Sequence, residues 1–392
     1  MQKKALGVTT AVVAVMLAGP ASAQDKVSTN AAPTGSVDYA NARPMPMPKS
    51  AKLPVGLGKA VTRSVVRKGL AGATDGSSGD GVTSPVTLPV NKALAKAEAA
   101  AGAAAAAASG GVTPQQSGIS SHPFTTARAN AVGDYTARYF PFRAAGKLFF
   151  NIGGSSYVCS ASLIKRGLIV TAAHCVTAYG TRTWYADWRF VPAYQNGLAP
   201  YGTWTTRRRH VLASYLAGTD NCTVAGIVCE NDVAVLEITG NRGVYPGDHT
   251  GWYGYGYNGY GFTGSGVRAG NLGHITQLGY PVALDDGELM ERTDSFAYTD
   301  GSLSDNNVIG SQQSGGSSGG PWLVNFGSAP AVTGYSGTAG SEAGPNRVVG
   351  VTSWGYVDPS IREQGASPFL STNIVALVDK ACANAASPRV CE

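Results

Sequence analysis

The chain has 392 residues, room for one large or two ordinary domains, and a formal net charge of +6. Residues 24–120 carry ten Lys/Arg against five Asp/Glu, whereas residues 121–392 carry eighteen against nineteen. The region expected to fold is therefore nearly neutral, which excludes the basic footprint of a nucleic-acid-binding domain.

Taken in chain order, Lys3 and Lys4 precede an apolar run from Ala11 to Ala18 and the small-residue site Ala21-Ser22-Ala23. That is the pattern of a secretory signal peptide, residues 1–23, cut after Ala23. An uncleaved anchor is the alternative, but the apolar run is too short to span a bilayer. No later stretch is apolar for the ~20 residues a membrane helix needs, so no membrane anchor is expected after cleavage. The mature protein is expected to be secreted, extracellular or periplasmic. In that compartment the six cysteines read as disulfides. Cys159 and Cys175 flank a strand-turn-strand, Cys222 and Cys229 close a short loop, and Cys382 and Cys391 tie down the C-terminus. No CxxC or CxxH spacing occurs, so no metal site is expected.

Residues 24–121 are rich in Ala, Gly, Pro, Ser and Thr, with the proline-punctuated NARPMPMPKSAKLP and an alanine tract. Such composition buries too little apolar surface to offset chain entropy, so a low-complexity propeptide or disordered leader is expected. A surface-tethering spacer is the alternative. Residues 122–392 change character. GKLFFNI, YVCSASLI, LIVTAA, TWYADWRFV, DVAVLEI, HITQLGY, RTDSFAYT, PWLVNF and RVVGVTSW read as short strands punctuated by Gly, Pro, Asn and Asp. Many short strands with little helix predict an all-β sandwich or barrel. Ile374, Leu377, Val378, Ala381 and Cys382 recur at helical spacing after Ser371 or Thr372 as cap, predicting one C-terminal helix. Two small barrels, about 135–245 and 246–392, suit this length better than one.

Two segments stand apart. Arg207-Arg208-Arg209-His210 is expected as an exposed loop, with anion binding or processing as alternatives. The Gly-aromatic run from Gly251 to Gly266 is expected to pack its rings back on the core, with sugar or peptide stacking as the alternative. His122, His210, His249 and His274 are read as surface or structural.

Three stretches carry chemistry. In LIVTAAHCV, His174 follows a buried strand; in ENDVAVLEI, Asp232 sits at the mouth of another; in GGSSGGP, Ser318 is embedded among glycines. Acyl transfer needs a hydroxyl nucleophile, a base to take its proton and an acid to orient the base. Oxyanion donors must be backbone N–H groups turned inward, a conformation easy only for Gly, which points to Gly316 and Ser318. Ser317 is the rival nucleophile, but it would put the glycines out of frame.

TAAHC, DVAVL, GGSSGGP and VTSWG, in that order, resemble the chymotrypsin/trypsin-like serine peptidases from about Tyr139 to the C-terminus. The resemblance implies two antiparallel six-stranded Greek-key β-barrels with the site between them. It implies His174 as base, Asp232 as its orienter, Ser318 as nucleophile, and Ser353-Trp354-Gly355 as the segment pairing with substrate backbone as an added strand. It also places Gln312 at the base of the primary pocket, where no Asp supports a preference for Arg or Lys.

Two positions depart from the family. Ser317 stands where the family usually has Asp, so activation by a pairing of that Asp with a new N-terminus cannot operate in its usual form. A neutral residue there, and GYP at 279–281, are similar to the secreted bacterial glutamyl endopeptidases. That branch has a His where Thr352 stands here, which argues against glutamate preference. The expected function is a secreted serine endopeptidase acting on proteins or peptides through an acyl-enzyme, with no cofactor, as a monomer. Its own propeptide is the other expected partner, assisting folding or blocking the site until proteolysis removes it. The alternatives are an inactive homologue serving as a binding module, or a surface or carbohydrate-binding protein built on the Gly-aromatic run.

Overall fold

The computed structural model describes residues 26–32, 35–45, 49–50, 76–78, 122–130, 136–262, 272–327, 344–356 and 361–392. The expected signal peptide and the alanine tract lie outside them. Strands β1 (Ala145–Ile152), β2 (Ser155–Lys165), β3 (Leu168–Thr171), β4 (Ala186–Pro192), β5 (Trp204–Leu212) and β6 (Ala234–Ile238) form the first barrel. Strands β7 (Leu272–Gly279), β8 (Glu291–Asp300), β9 (Asn306–Gly310), β10 (Pro321–Val324), β11 (Arg347–Tyr356) and β12 (Glu363–Pro368) form the second. The first runs β1-β2-β3-β6-β5-β4 and closes back on β1; the second runs β7-β8-β9-β12-β11-β10 and closes on β7. Every neighbouring pair is antiparallel, and both barrels use the same strand order. Closure removes the sheet edges that a short-stranded all-β protein would otherwise expose.

Sequence patterning explains most strands. Leu168, Ile169 and Val170 are wholly buried, as are Val233 to Leu236, so these runs read as core strands. Trp188, Trp322 and Trp354 are buried with their indole N–H groups bonded, to the Cys175 carbonyl, Thr352 Oγ1 and Asn306 Oδ1. Each such side chain contributes roughly 1.5–3 kcal/mol by burial, provided its polar atom is satisfied. Disulfides join Cys159 to Cys175, Cys222 to Cys229 and Cys382 to Cys391.

The Arg-rich segment corrects an expectation: it is not a loop but the body of β5, with Arg209 and His210 buried. Arg209 lies over the Trp188 ring at 4.6 Å and donates to Thr206 Oγ1, Asn30 Oδ1 and the Ala32 carbonyl. Stacking, these acceptors and the Thr206 carbonyl replace the lost water, although burial still lowers its pKa to about 10. Trp252, Tyr253, Tyr255 and Phe262 of the Gly-aromatic run are buried against the barrels. At the C-terminus, α1 (Ala376–Ala383) follows a wider turn over Ser371–Val375. Its cap differs from expectation: the Asn373 side chain accepts from the Leu370 N–H at 2.7 Å, in place of Ser371 or Thr372.

The residues expected as a propeptide or disordered leader contribute strands to both barrels. Val27–Asn30 pairs antiparallel with β5, Arg43–Pro44 parallel with Tyr157–Val158, and Lys49–Ser50 parallel with Gly355–Tyr356. Gly76–Ser78 pairs antiparallel with Tyr255–Tyr257; beyond the expected leader, Phe124–Arg128 pairs antiparallel with β8. Low-complexity composition does not forbid this, because a ladder needs only backbone N–H and C=O groups.

Candidate active site

Strand pairing brings the first two site residues together. β3 and β6 are antiparallel with Thr171 opposite Ala234, so the end of β3 meets the start of β6. The turn after β3, Ala173–Cys175, carries His174, and Asp232 lies just before β6. Asp232 accepts twice from one residue: Oδ1 from the His174 backbone N–H at 2.8 Å and Oδ2 from the ring Nδ1 at 2.7 Å. Because a carboxylate only accepts, Nδ1 carries the proton and Nε2 is left as the acceptor. Ser353 Oγ donates a third bond to Oδ2 at 2.5 Å, and the Asp232 N–H donates to Ser367 Oγ at 3.1 Å. A carboxyl group with 1% exposure needs such donors in place of the water it has lost.

The third residue arrives on the turn before β10. Gly316 (φ 97°) and Gly319 (φ 79°) adopt left-handed backbone. A Cβ on Gly316 would lie 2.4 Å from the Tyr280 carbonyl, and one on Gly319 2.0 Å from Thr171 Oγ1 and 2.9 Å from Ala172 N. The Ser318 turn therefore abuts the end of β3, two residues before His174, and only glycine allows that approach. Ser160, beside Cys159, is the tie. Its N–H donates to the Ser318 carbonyl at 2.7 Å, its Oγ to the Gly316 carbonyl at 2.9 Å, and its Oγ accepts from Tyr280 N–H at 3.0 Å. Nothing in its flanks marks it in the sequence; its role comes from the docking of two barrels.

Ser317 occupies the position where the family usually has Asp. It is wholly buried, and both its N–H (3.1 Å) and its Oγ (2.6 Å) donate to the Ser314 carbonyl. The loop thus fixes its own turn without an ion pair. Ser318 Oγ and His174 Nε2 are both shielded from solvent and have no hydrogen-bond partner among the described residues. The Gly316 N–H, in contrast, donates to the Met45 carbonyl, in the stretch expected as a leader, at 3.2 Å.

The expected substrate-binding residues separate into two groups. Gln312 is partly exposed, and its Oε1 accepts from Arg362 Nη1 at 3.0 Å, a neighbour the sequence reading missed. Gly355 pairs with both Gln364 and Lys49. Thr352 instead commits its polar atoms inside: its N–H to the Gly320 carbonyl, its carbonyl to Gly319 N–H, and its Oγ1 to Gln277 and Trp322. Trp354 is buried and bonded to Asn306.

Two groups of potential ligand atoms converge, Cys159, His174 and Cys175, and Asp220, Cys222 and Cys229. In both, the sulfurs are joined in disulfides, so neither offers a thiolate to a metal.

Comparison with known proteins bears on the whole arrangement. The chain is 26% identical over 118 residues to an extracellular metalloprotease of Bacillus subtilis (strain 168), covering 30% of this chain and 34% of that protein. The match thus spans about a third of that curated relative's length. Among solved structures, it is similar to protease Anisep from Arthrobacter nicotinovorans, at 25% identity and a TM-score of 0.48, covering 62% of this chain and 96% of that one. A Glu endopeptidase is similar at 18% identity and a TM-score of 0.43, covering 69% of this chain and 100% of that one. The trypsin family model matches residues 132–369, which include both barrels, His174, Asp232 and Ser318. The chain belongs to the trypsin family.

Proposed function

We propose that the protein is an exported serine endopeptidase that cleaves peptide bonds through an acyl-enzyme. The observation that carries this reading is the double acceptance by Asp232 from His174, beside a glycine turn that carries Ser318. In this reading, Ser318 Oγ attacks the substrate carbonyl carbon and His174 Nε2 takes the hydroxyl proton. Asp232 holds the ring in the required tautomer and stabilises the imidazolium. The N–H groups of Gly316 and Ser318 receive the oxyanion, a contribution of about 3–4 kcal/mol per donor in comparable sites. As the tetrahedral adduct collapses, His174 gives the proton to the leaving amine; water then repeats the sequence on the ester.

The pocket base supports a second, narrower statement. Arg362 occupies the oxygen of Gln312, which leaves the guanidinium and the Gln312 amide as donors. A base of N–H donors suits a substrate side chain that accepts, a carboxylate or carboxamide, better than a basic one, so Arg362 offsets the argument against glutamate preference drawn from Thr352 alone. Three disulfides and the N-terminal Lys-apolar-Ala pattern support export.

The test is burst kinetics with an activated ester on leader-free protein. One equivalent of alcohol released ahead of steady state is the expected result, absent in Ser318→Ala and in His174→Ala. Steady-state kcat should fall on the order of a million-fold in either variant. A folded, leader-free wild-type protein with neither burst nor turnover would favour the inactive-homologue reading.

A further inference from the structure

The leader does not merely cover the cleft; its contacts have a direction. Reading along the chain, Arg43–Pro44 runs parallel to Tyr157–Val158, and the Met45 N–H donates to the Val158 carbonyl at 2.8 Å. The Met45 carbonyl then accepts from Gly316 N–H at 3.2 Å, and Lys49–Ser50 runs parallel to Gly355–Tyr356. The leader therefore enters beside Val158, passes the oxyanion donor and leaves beside Gly355.

A productive substrate runs the other way. In the catalytic reading its acyl side reaches the Gln312 pocket and pairs with the Ser353–Gly355 strand, the roles that the family resemblance implies for those residues. Its leaving amine must lie on the side of His174, which sits next to Cys175 and is tethered through the Cys159–Cys175 disulfide to the strand carrying Val158. Substrate polarity is thus from Gly355 toward Val158.

We propose that residues 43–45 and 49–50 lie backwards in the substrate cleft and plug it, with the Met45 carbonyl on the oxyanion donor Gly316. This inference rests on the catalytic reading for the meaning of the cleft, though not for the direction of the leader. Reversed polarity explains how a peptide can sit on an oxyanion donor without being cut. The described chain runs from Val158 past Met45 to Gly355, so an amine released after Met45 would belong to the part of the chain that pairs with Gly355, away from the base that must protonate it. Recognition is by main chain, through the strand pairings of residues 43–44 and 49–50 and both backbone groups of Met45, so it needs no particular side chains. Full burial of the Ser318 and His174 side-chain tips in the presence of the leader agrees with a closed site.

Direction can be read without activity. The signal-free chain, residues 24–392, is prepared with p-benzoylphenylalanine at Lys49 or, separately, at Arg43, irradiated, and mapped by peptide mass spectrometry. Backward threading predicts cross-links from position 49 to the peptide holding Gly355–Tyr356, and from position 43 to the peptide holding Tyr157–Val158. Exchanged cross-links, or none to either strand from a folded chain, would overturn the proposal. The inhibitory consequence is read with a fluorophosphonate. The intact chain should label at Ser318 at least 100-fold more slowly than the proteolytically matured form, and replacing residues 43–50 by Gly and Ser should restore the rate. Equal rates for intact and matured chains would refute the plug. If even the matured form failed to label, the catalytic reading would fall, while the cross-link map would still decide the direction.

Discussion

Ser317→Asp restores the residue usual in the family, and here it should be harmful. Ser317 is fully buried, its hydroxyl donates to the Ser314 carbonyl, and its Cβ lies 2.9 Å from where a Cβ on Gly279 would stand. An aspartate would replace a donor by a charged acceptor facing a carbonyl oxygen, and would add two atoms against that wall. An uncompensated buried charge costs about 3–5 kcal/mol. At about 2–4 °C per kcal/mol for a domain of this size, Tm should fall by roughly 10 °C. Displacement of the turn would also move the Gly316 and Ser318 donors. Ser317→Ala is the control: it removes one hydrogen bond worth about 1 kcal/mol, while the Ser314 carbonyl keeps the Ser317 N–H. Calorimetry and ester turnover on both variants, with leader removed, give the answer. If Ser317→Asp kept wild-type Tm and activity, the site would hold a cation for that carboxylate, and the self-fixed turn argued above would be wrong.

Other substitutions test neighbouring parts. Ser160→Ala removes the donor to Gly316 and the acceptor of Tyr280 N–H, so kcat should drop about 10-fold or more, a loss of at least ~1.4 kcal/mol of transition-state stabilisation, with KM little changed. Arg362→Gln should lower kcat/KM for acidic residues before the cut relative to a neutral isostere by about 10-fold; an unchanged ratio would detach Arg362 from specificity. Glu291 supplies a pH test. Burial, reinforced by the neighbouring Asp285 and only partly opposed by Arg128, pushes its pKa up to about 9, so it stays protonated in the fold at neutral pH. Its contribution to stability is fully present below the unfolded value of about 4.5 and is lost as pH rises toward about 9. Tm of Glu291→Gln should therefore gain on wild type steadily between pH 5 and 9, and parallel curves would contradict the shift.

Much of this architecture is legible in the sequence, for reasons that can be traced. Strands β3 and β6 bury nearly every side chain, so their aliphatic runs announce them. His174 and Ser318 are visible because chemistry demands specific neighbours, above all glycines with left-handed backbone. The strands that escaped notice, β5, β9 and β12, lack that signal. β5 carries three consecutive arginines, with Arg209 buried by partners far away in sequence, Trp188 and Ala32. β9 begins with two asparagines, and β12 reads EQGASP; pairing with their neighbours, not propensity, makes them strands. Ser160 and Arg362 were hidden because their meaning depends on barrel docking and on register between strands. The leader's path was hidden for a different reason: a peptide held by its main chain leaves no side-chain pattern to read.

The central claim is that Ser318 is a nucleophile activated by His174 beside an intact oxyanion turn. Intact-mass measurement of fluorophosphonate labelling on the leader-free protein, with Ser318→Ala alongside, tests it most directly. The account predicts one adduct per chain, located on the peptide containing Ser318 and absent from the variant. A folded, leader-free protein that takes no adduct, or takes it equally in the variant, would contradict it.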